Sequence, residues 1–179
     1  MSKEFEEYLR KEQEKINIII EKQFQDVIAA EEEPYLQKFF NFDREFVLRG
    51  GRRLLPISLI KTFIGLSSDK DIAELVDQVY EVSTCIEMLH ISSMIEDDLI
   101  GDEELRRGLP TFHRYLSTSL ASSKSKLTPN LQKYAQASAM YGGMLTSFLG
   151  FQIIGKSHFD DIRKNRAMQV YREGLQGVT

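Results

Sequence analysis

At 179 residues, 42% hydrophobic and 28% charged, the chain has the makeup of one globular domain able to bury an apolar core, not of a disordered segment. A net charge of -4 lacks the basic excess of a nucleic-acid-binding surface, and no uninterrupted apolar run is long enough to span a bilayer. The acidic start, Met1-Ser2-Lys3-Glu4-Phe5-Glu6-Glu7, suits neither a secretory signal nor a transit peptide, so a cytoplasmic location is expected; the single Cys85, in an apolar run, is expected to be a buried structural thiol.

The dominant period is helical. Phe5, Tyr8, Leu9, Ile16, Ile19, Ile20, Phe24 and Val27 fall on one stripe and predict a first helix. A second is expected from about Glu33 to Leu48, stopped by Gly50-Gly51. Pro56 can open a third, with Ile57, Leu59, Ile60 and Phe63 as its apolar body. After the turn at Ser67-Ser68-Asp69 a long helix is expected from about Asp71 to Leu99. Its middle is apolar on nearly every side, the pattern of a helix at the centre of a bundle.

Gly101 and Gly108-Leu109-Pro110 bracket a charged loop, and a helix is expected to start near Pro110. The Ser/Lys-rich stretch Ser117–Lys126 reads as a helix end and exposed loop. Thr128-Pro129 reads as an N-cap with Pro at the first helical position. The helix it opens carries Ala135, Ala139, Gly142, Gly143 and Gly150, small residues that permit close helix approach, and a last helix is expected from near His158. With no strand alternation, the class is all-α, a helical bundle in one domain over residues 1–179.

Two segments do not read as ordinary helix surface. In Gly50-Gly51-Arg52-Arg53-Leu54-Leu55-Pro56, two flexible glycines let the backbone bring adjacent guanidinium groups to one place, where they suit a diphosphate. A glycine helix stop followed by solvated arginines fits the same residues. The second segment runs from Glu87-Met88-Leu89-His90 through Glu96-Asp97-Asp98 to Asp102 and Arg106-Arg107-Gly108-Leu109-Pro110. His90 and Asp97, seven apart, share a helix face. A carboxylate pair ending an apolar helix is costly unless something cationic sits there, and magnesium, which takes hard oxygen ligands and bridges carboxylates to phosphates, is the natural candidate. An acidic helix end with a salt-bridged loop is the plainer alternative.

Taken together, in this order and spacing, these segments resemble the trans-isoprenyl (polyprenyl) diphosphate synthases. The hallmarks of that family are Gly-Gly-Lys-Arg-x-Arg-Pro, a helix reading Glu-x-x-His up to Asp-Asp-x-x-Asp, and Arg-Arg-Gly-x-Pro. The resemblance implies an isoprenoid-synthase-type helical bundle that condenses isopentenyl diphosphate head to tail with an allylic diphosphate, using Mg2+, as a homodimer or a heterodimer with another synthase subunit. It assigns Asp97 and Asp98 to the first positions of the metal motif and Arg106 to the allylic diphosphate, the three expected catalytic residues. Arg107 helps hold isopentenyl diphosphate, Arg52 takes the lysine slot, and Arg53 and His90 complete that pocket. Ser92, where bulky residues close the product shaft in short-chain enzymes, implies a medium or long product.

The departures are as informative. Gly101 stands at the third aspartate, with Asp102 next door as a substitute ligand if the helix continues. Leu55 replaces the third basic residue of the glycine segment, Glu96 precedes the aspartate pair, and Met144 follows Gly143 where many relatives have an aspartate. Family members are longer and carry a second Asp-Asp-x-x-Asp. Asp160-Asp161 does not supply it and reads as the acidic first turn of a helix. The chain is thus expected to correspond to the front half of a synthase, either as part of an enzyme or as a non-catalytic partner subunit.

Overall fold

The computed structural model describes residues 2–122 and 130–178. Among them the fold is all-α: α1 (Lys3–Ala30), α2 (Pro34–Leu48), α3 (Leu54–Leu66), α4 (Asp69–Ile100), α5 (Phe112–Ser122), α6 (Leu131–Lys156) and α7 (Asp161–Val178). Two short antiparallel strands, β1 (Leu105–Arg106) and β2 (Leu109–Pro110), are the one sheet. No helix is long and apolar enough to cross a membrane among these residues.

The chain forms two compact units. One takes in the chain up to Leu89 and from Leu149 on; the other is His90–Phe148, so α4 and α6 each contribute to both. In the first unit, the Ser2 hydroxyl caps α1 by accepting from the Phe5 N–H at 3.2 Å. The stripe read from the sequence then buries Ile16, Ile20 and Phe24 completely, each side chain stabilising the fold by about 1.5–3 kcal/mol relative to exposure. The middle of α4 is the buried part, where its sequence is apolar on nearly every side, with Val79, Cys85 and Met88 buried. Its buried hydroxyls are satisfied within the turn, Ser83 donating to the Tyr80 carbonyl and Thr84 to that of Glu81. Burial raises the Cys85 thiol to about 12, which keeps it an inert structural group.

Small residues on α6 do mark close approaches. A Cβ on Gly150 would fall 2.0 Å from the Tyr171 hydroxyl of α7, and in the second unit one on Gly142 would fall 2.6 Å from the Phe112 ring of α5. The outer side of α6 in that unit leaves Met140, Tyr141, Met144 and Phe148 exposed.

Several boundaries differ from expectation. α3 begins at Leu54, not Pro56, which becomes the third helical residue; its missing N–H has no intrahelical acceptor there, so nothing is lost. α7 begins at Asp161, not His158, because the Asp160 carboxylate accepts from the Arg163 N–H at 2.9 Å and sets the cap. α5 continues through Ser122, into the stretch read as exposed loop. Thr128-Pro129 lies outside the described residues; Asn130 accepts from the Lys133 N–H at 3.2 Å at the head of α6. The charged loop is a paired hairpin, in register Leu105 with Pro110 and Arg106 with Leu109.

Candidate functional site

The second unit carries the carboxylate end. α4 stops at Ile100 because the chain turns left-handed at Asp102 (φ 50°), with the Asp102 N–H on the Leu99 carbonyl and the Glu103 N–H on that of Asp98. These two bonds are those of a Schellman helix end, with Asp102 at the left-handed position that glycine usually fills. The helix therefore does not continue, and Asp102 is not carried onto the face of Asp98. Its carboxylate meets Arg114 at 3.1 Å and lies 3.7 Å from His113 Nε2.

The hairpin then turns back through Arg107 (φ 53°) and Gly108 (φ 78°), the two consecutive positive φ values that a two-residue turn of this hand requires. Pairing with Leu109 brings Arg106 back to α4, where its Nε donates to both oxygens of Asp98, at 2.7 and 2.8 Å. Asp98 is 1% exposed. The hydrogen bond to Asp98 raises Arg106 above the ordinary guanidinium range, and the charges of Asp97 and Glu103 act in the same direction, against partial burial. Asp97 and Arg107 are exposed, and His90, earlier on α4, is half-buried. Ser92 is buried, with its carbonyl near Gly143 of α6.

These carboxylates do not form a preassembled metal cage. Both oxygens of Asp98 are taken by Arg106, Asp102 is on Arg114, and Gly101 offers no ligand. Among the described residues no group of three His, Cys, Asp or Glu side chains converges as a metal site. Asp97 is left as the open carboxylate.

The sequence gives little notice of His113 and Arg114, which hold this loop from α5. His113 is 2% exposed, its Nε2 has no hydrogen-bond partner among the described residues, and burial, followed by the Arg114 charge, lowers its pKa. Thr111 donates to the Glu103 carbonyl at 2.7 Å and fastens the other arm. A histidine and a threonine just after Arg-Arg-Gly-x-Pro were the available signal.

The first unit carries the glycine segment. Gly50 (φ 149°), Gly51 (φ 111°) and Arg53 (φ 52°) all have positive φ, a tight turn between α2 and α3. Gln13 donates to the Gly51 carbonyl at 2.8 Å. The two arginines part company here. Arg52 is exposed, whereas Arg53 is 1% exposed: its Nε donates to Asn17 Oδ1 (2.8 Å), Nη1 to Glu87 Oε1 (2.7 Å) and Nη2 to the Val47 carbonyl (2.7 Å). Among the described residues no side chain caps α3, whose first residues Leu54 and Leu55 are exposed, so its N-terminal N–H groups suit an anion beside Arg52. Arg52 and Arg53 belong to the first unit, and His90, Asp97, Asp98, Asp102, Arg106 and Arg107 to the second.

The family model described as Polyprenyl synthetase matches residues 37–178. Heptaprenyl diphosphate synthase component 2 of Bacillus subtilis is 39% identical over 62 residues, 35% of this chain and 16% of that protein. Farnesyl diphosphate synthase of Geobacillus stearothermophilus is 35% identical over 74 residues, 40% of this chain and 23% of that one. A geranylgeranyl diphosphate synthase of Methanosarcina mazei is 23% identical over 134 residues, 75% of this chain and 34% of its own length. The chain therefore spans about a third or less of these relatives. A geranyltransferase structure from Helicobacter pylori aligns over 87% of this chain and 49% of its own, with a TM-score of 0.59 and 21% identity, a likeness of fold.

Proposed function

Since the chain belongs to the polyprenyl synthetase family, we propose that it binds prenyl diphosphates and takes part in extending an allylic diphosphate with isopentenyl diphosphate. One observation carries this reading: the hairpin returns Arg106 to Asp98 and leaves Arg107 and Asp97 exposed at the same helix end. As the allylic C–O bond breaks, negative charge gathers on the departing diphosphate. Arg106, held in one orientation by Asp98, and the exposed Arg107 are the groups that stabilise it. In the first unit, Arg52 and the uncapped start of α3 take the isopentenyl diphosphate. Magnesium belongs to this proposal as a companion of the diphosphate, whose charge it neutralises when bound, and Asp97 is the open carboxylate for it.

The test is extraction of labelled product after incubating the chain with isopentenyl diphosphate, an allylic diphosphate and magnesium. Product from the chain alone supports the enzyme reading.

A second reading, a partner subunit that pairs with an active synthase, is favoured by Gly101 and Leu55 at positions where the family carries charge. The exposed Met140, Tyr141, Met144 and Phe148 of α6, and a relative whose name makes it one component of a synthase, favour it too. It predicts no product from the chain alone, but a changed product length when an active synthase is added. No product and no such change would overturn both readings.

A further inference from the structure

The turn between α2 and α3 presents two neighbouring arginines that the sequence cannot tell apart, and the fold uses them in opposite ways. Arg52 is exposed. Arg53 is the largest fully buried side chain of the described residues, and its guanidinium joins three helices: Asn17 of α1, the Val47 carbonyl of α2 and Glu87 of α4. The Arg53–Glu87 pair is inaccessible on both sides, with side chains 0% and 5% exposed. A buried charge is tolerated only when paired and hydrogen-bonded, as this one is, and breaking one partner of such a pair is far costlier than never having built it. The backbone follows the side chain. Arg53 sits at φ 52°, uncommon for a residue with a Cβ, and its carbonyl accepts from the Ile57 N–H at 3.1 Å to start α3.

We propose that Arg53 is a positioning residue: by pinning the turn to α1, α2 and α4 from inside, it holds Arg52 in the orientation that receives a diphosphate beside the N-terminus of α3. It does not itself touch that diphosphate. The proposal rests on the reading above that Arg52 and α3 form an anion site. Gln13, donating to the Gly51 carbonyl, is a second pin on the same turn. Arg53 uses the planar fork of a guanidinium, with one bond from each of Nε, Nη1 and Nη2; the three donors of a lysine ammonium all diverge from one nitrogen and do not reproduce that spread.

The test is calorimetric titration of the whole chain with inorganic pyrophosphate without magnesium, so that the carboxylate end of α4 contributes least. Arg52→Gln should weaken binding about tenfold, the loss expected for one charge-assisted contact. Arg53→Lys, which keeps the charge, should weaken it about as much, and the double variant should bind within about twofold of Arg52→Gln alone, because Arg53 acts through Arg52. The pair Arg53→Met with Glu87→Met removes both buried charges together, so it should keep the fold and still bind weakly. An Arg53→Lys chain that binds like wild type would overturn the proposal, as would losses that multiply in the double variant, the mark of two direct contacts. If the wild-type chain binds no pyrophosphate, the anion-site reading itself falls. Exchange of the Ile57 amide then decides whether Arg53 fixes the turn: at least about tenfold faster exchange in Arg53→Lys supports it, and unchanged exchange overturns it.

Discussion

Asp98 and Arg106 form a lopsided pair: the carboxylate is 1% exposed and the guanidinium 33% exposed. Removing either partner should therefore cost different amounts. Arg106→Ala strands a buried carboxylate and should destabilise the chain by about 3–4 kcal/mol. Asp98→Ala leaves a cation that water already reaches, and should cost about 2 kcal/mol. Urea denaturation of the two variants checks this; equal costs would contradict the asymmetry.

Gly101 follows directly on α4, its N–H closing the last turn on the Asp97 carbonyl at 2.8 Å, so a carboxylate there would lie near Asp97. A Cβ there meets the Asp97 carbonyl at 3.2 Å and Glu103 Cγ at 3.3 Å, and the Glu103 side chain can swing aside. Gly101→Asp should tighten magnesium-dependent pyrophosphate binding about tenfold by adding a second open carboxylate beside Asp97. Calorimetry measures it directly, and an affinity no tighter than wild type would mean that the helix end does not take the metal with its diphosphate.

Glycines on these helices should respond with opposite signs. Gly150→Ala drives a methyl into the Tyr171 ring and hydroxyl, at 2.5 and 2.0 Å, and should cost about 2–3 kcal/mol. Gly65, on α3, has open space where a methyl would go, with nothing within 4 Å, so Gly65→Ala should gain about 0.5 kcal/mol through helix propensity. Thermal melts of both variants give the signs; a neutral Gly150→Ala would show that α6 and α7 are not in close contact.

The buried Glu12 gives the fold an acid limb. Burial alone would raise its carboxyl, but the hydrogen bond from Tyr80, that from Lys15, and the charges of Lys15 and Lys61 outweigh it and hold it below its ordinary 4.5. Just below 4.5 the unfolded chain binds more protons than the folded one, so this stabilisation is full above that value and is lost as pH falls through the lower folded value. Between about pH 5 and about pH 3 the melting temperature of wild type should fall more steeply than that of Glu12→Gln. Parallel curves would remove Glu12 from the account.

The helical fold was legible because its information is local: the stripe of Ile16, Ile20 and Phe24 and the apolar middle of α4 repeat at the helix period. The charges of Asp97, Asp98, Arg106 and Arg107 stand in a short span, so their nearness at one helix end, with Arg106 on Asp98, is likewise local information. Two features were not. Which of Arg52 and Arg53 is buried depends on Asn17 and Glu87, 36 and 34 residues away. Where Asp102 points depends on the helix end. Gly101 invites the left-handed position there, yet Asp102 takes it, and its carboxylate leaves the helix face for Arg114.

The most direct test of the central claim is calorimetric titration of wild type and Asp97→Ala with inorganic pyrophosphate, in the presence and absence of magnesium. Magnesium should strengthen binding to wild type, and Asp97→Ala should abolish this gain while leaving the magnesium-free affinity nearly intact. A wild-type chain that ignores magnesium, or an Asp97→Ala chain that keeps the full gain, would contradict the claim.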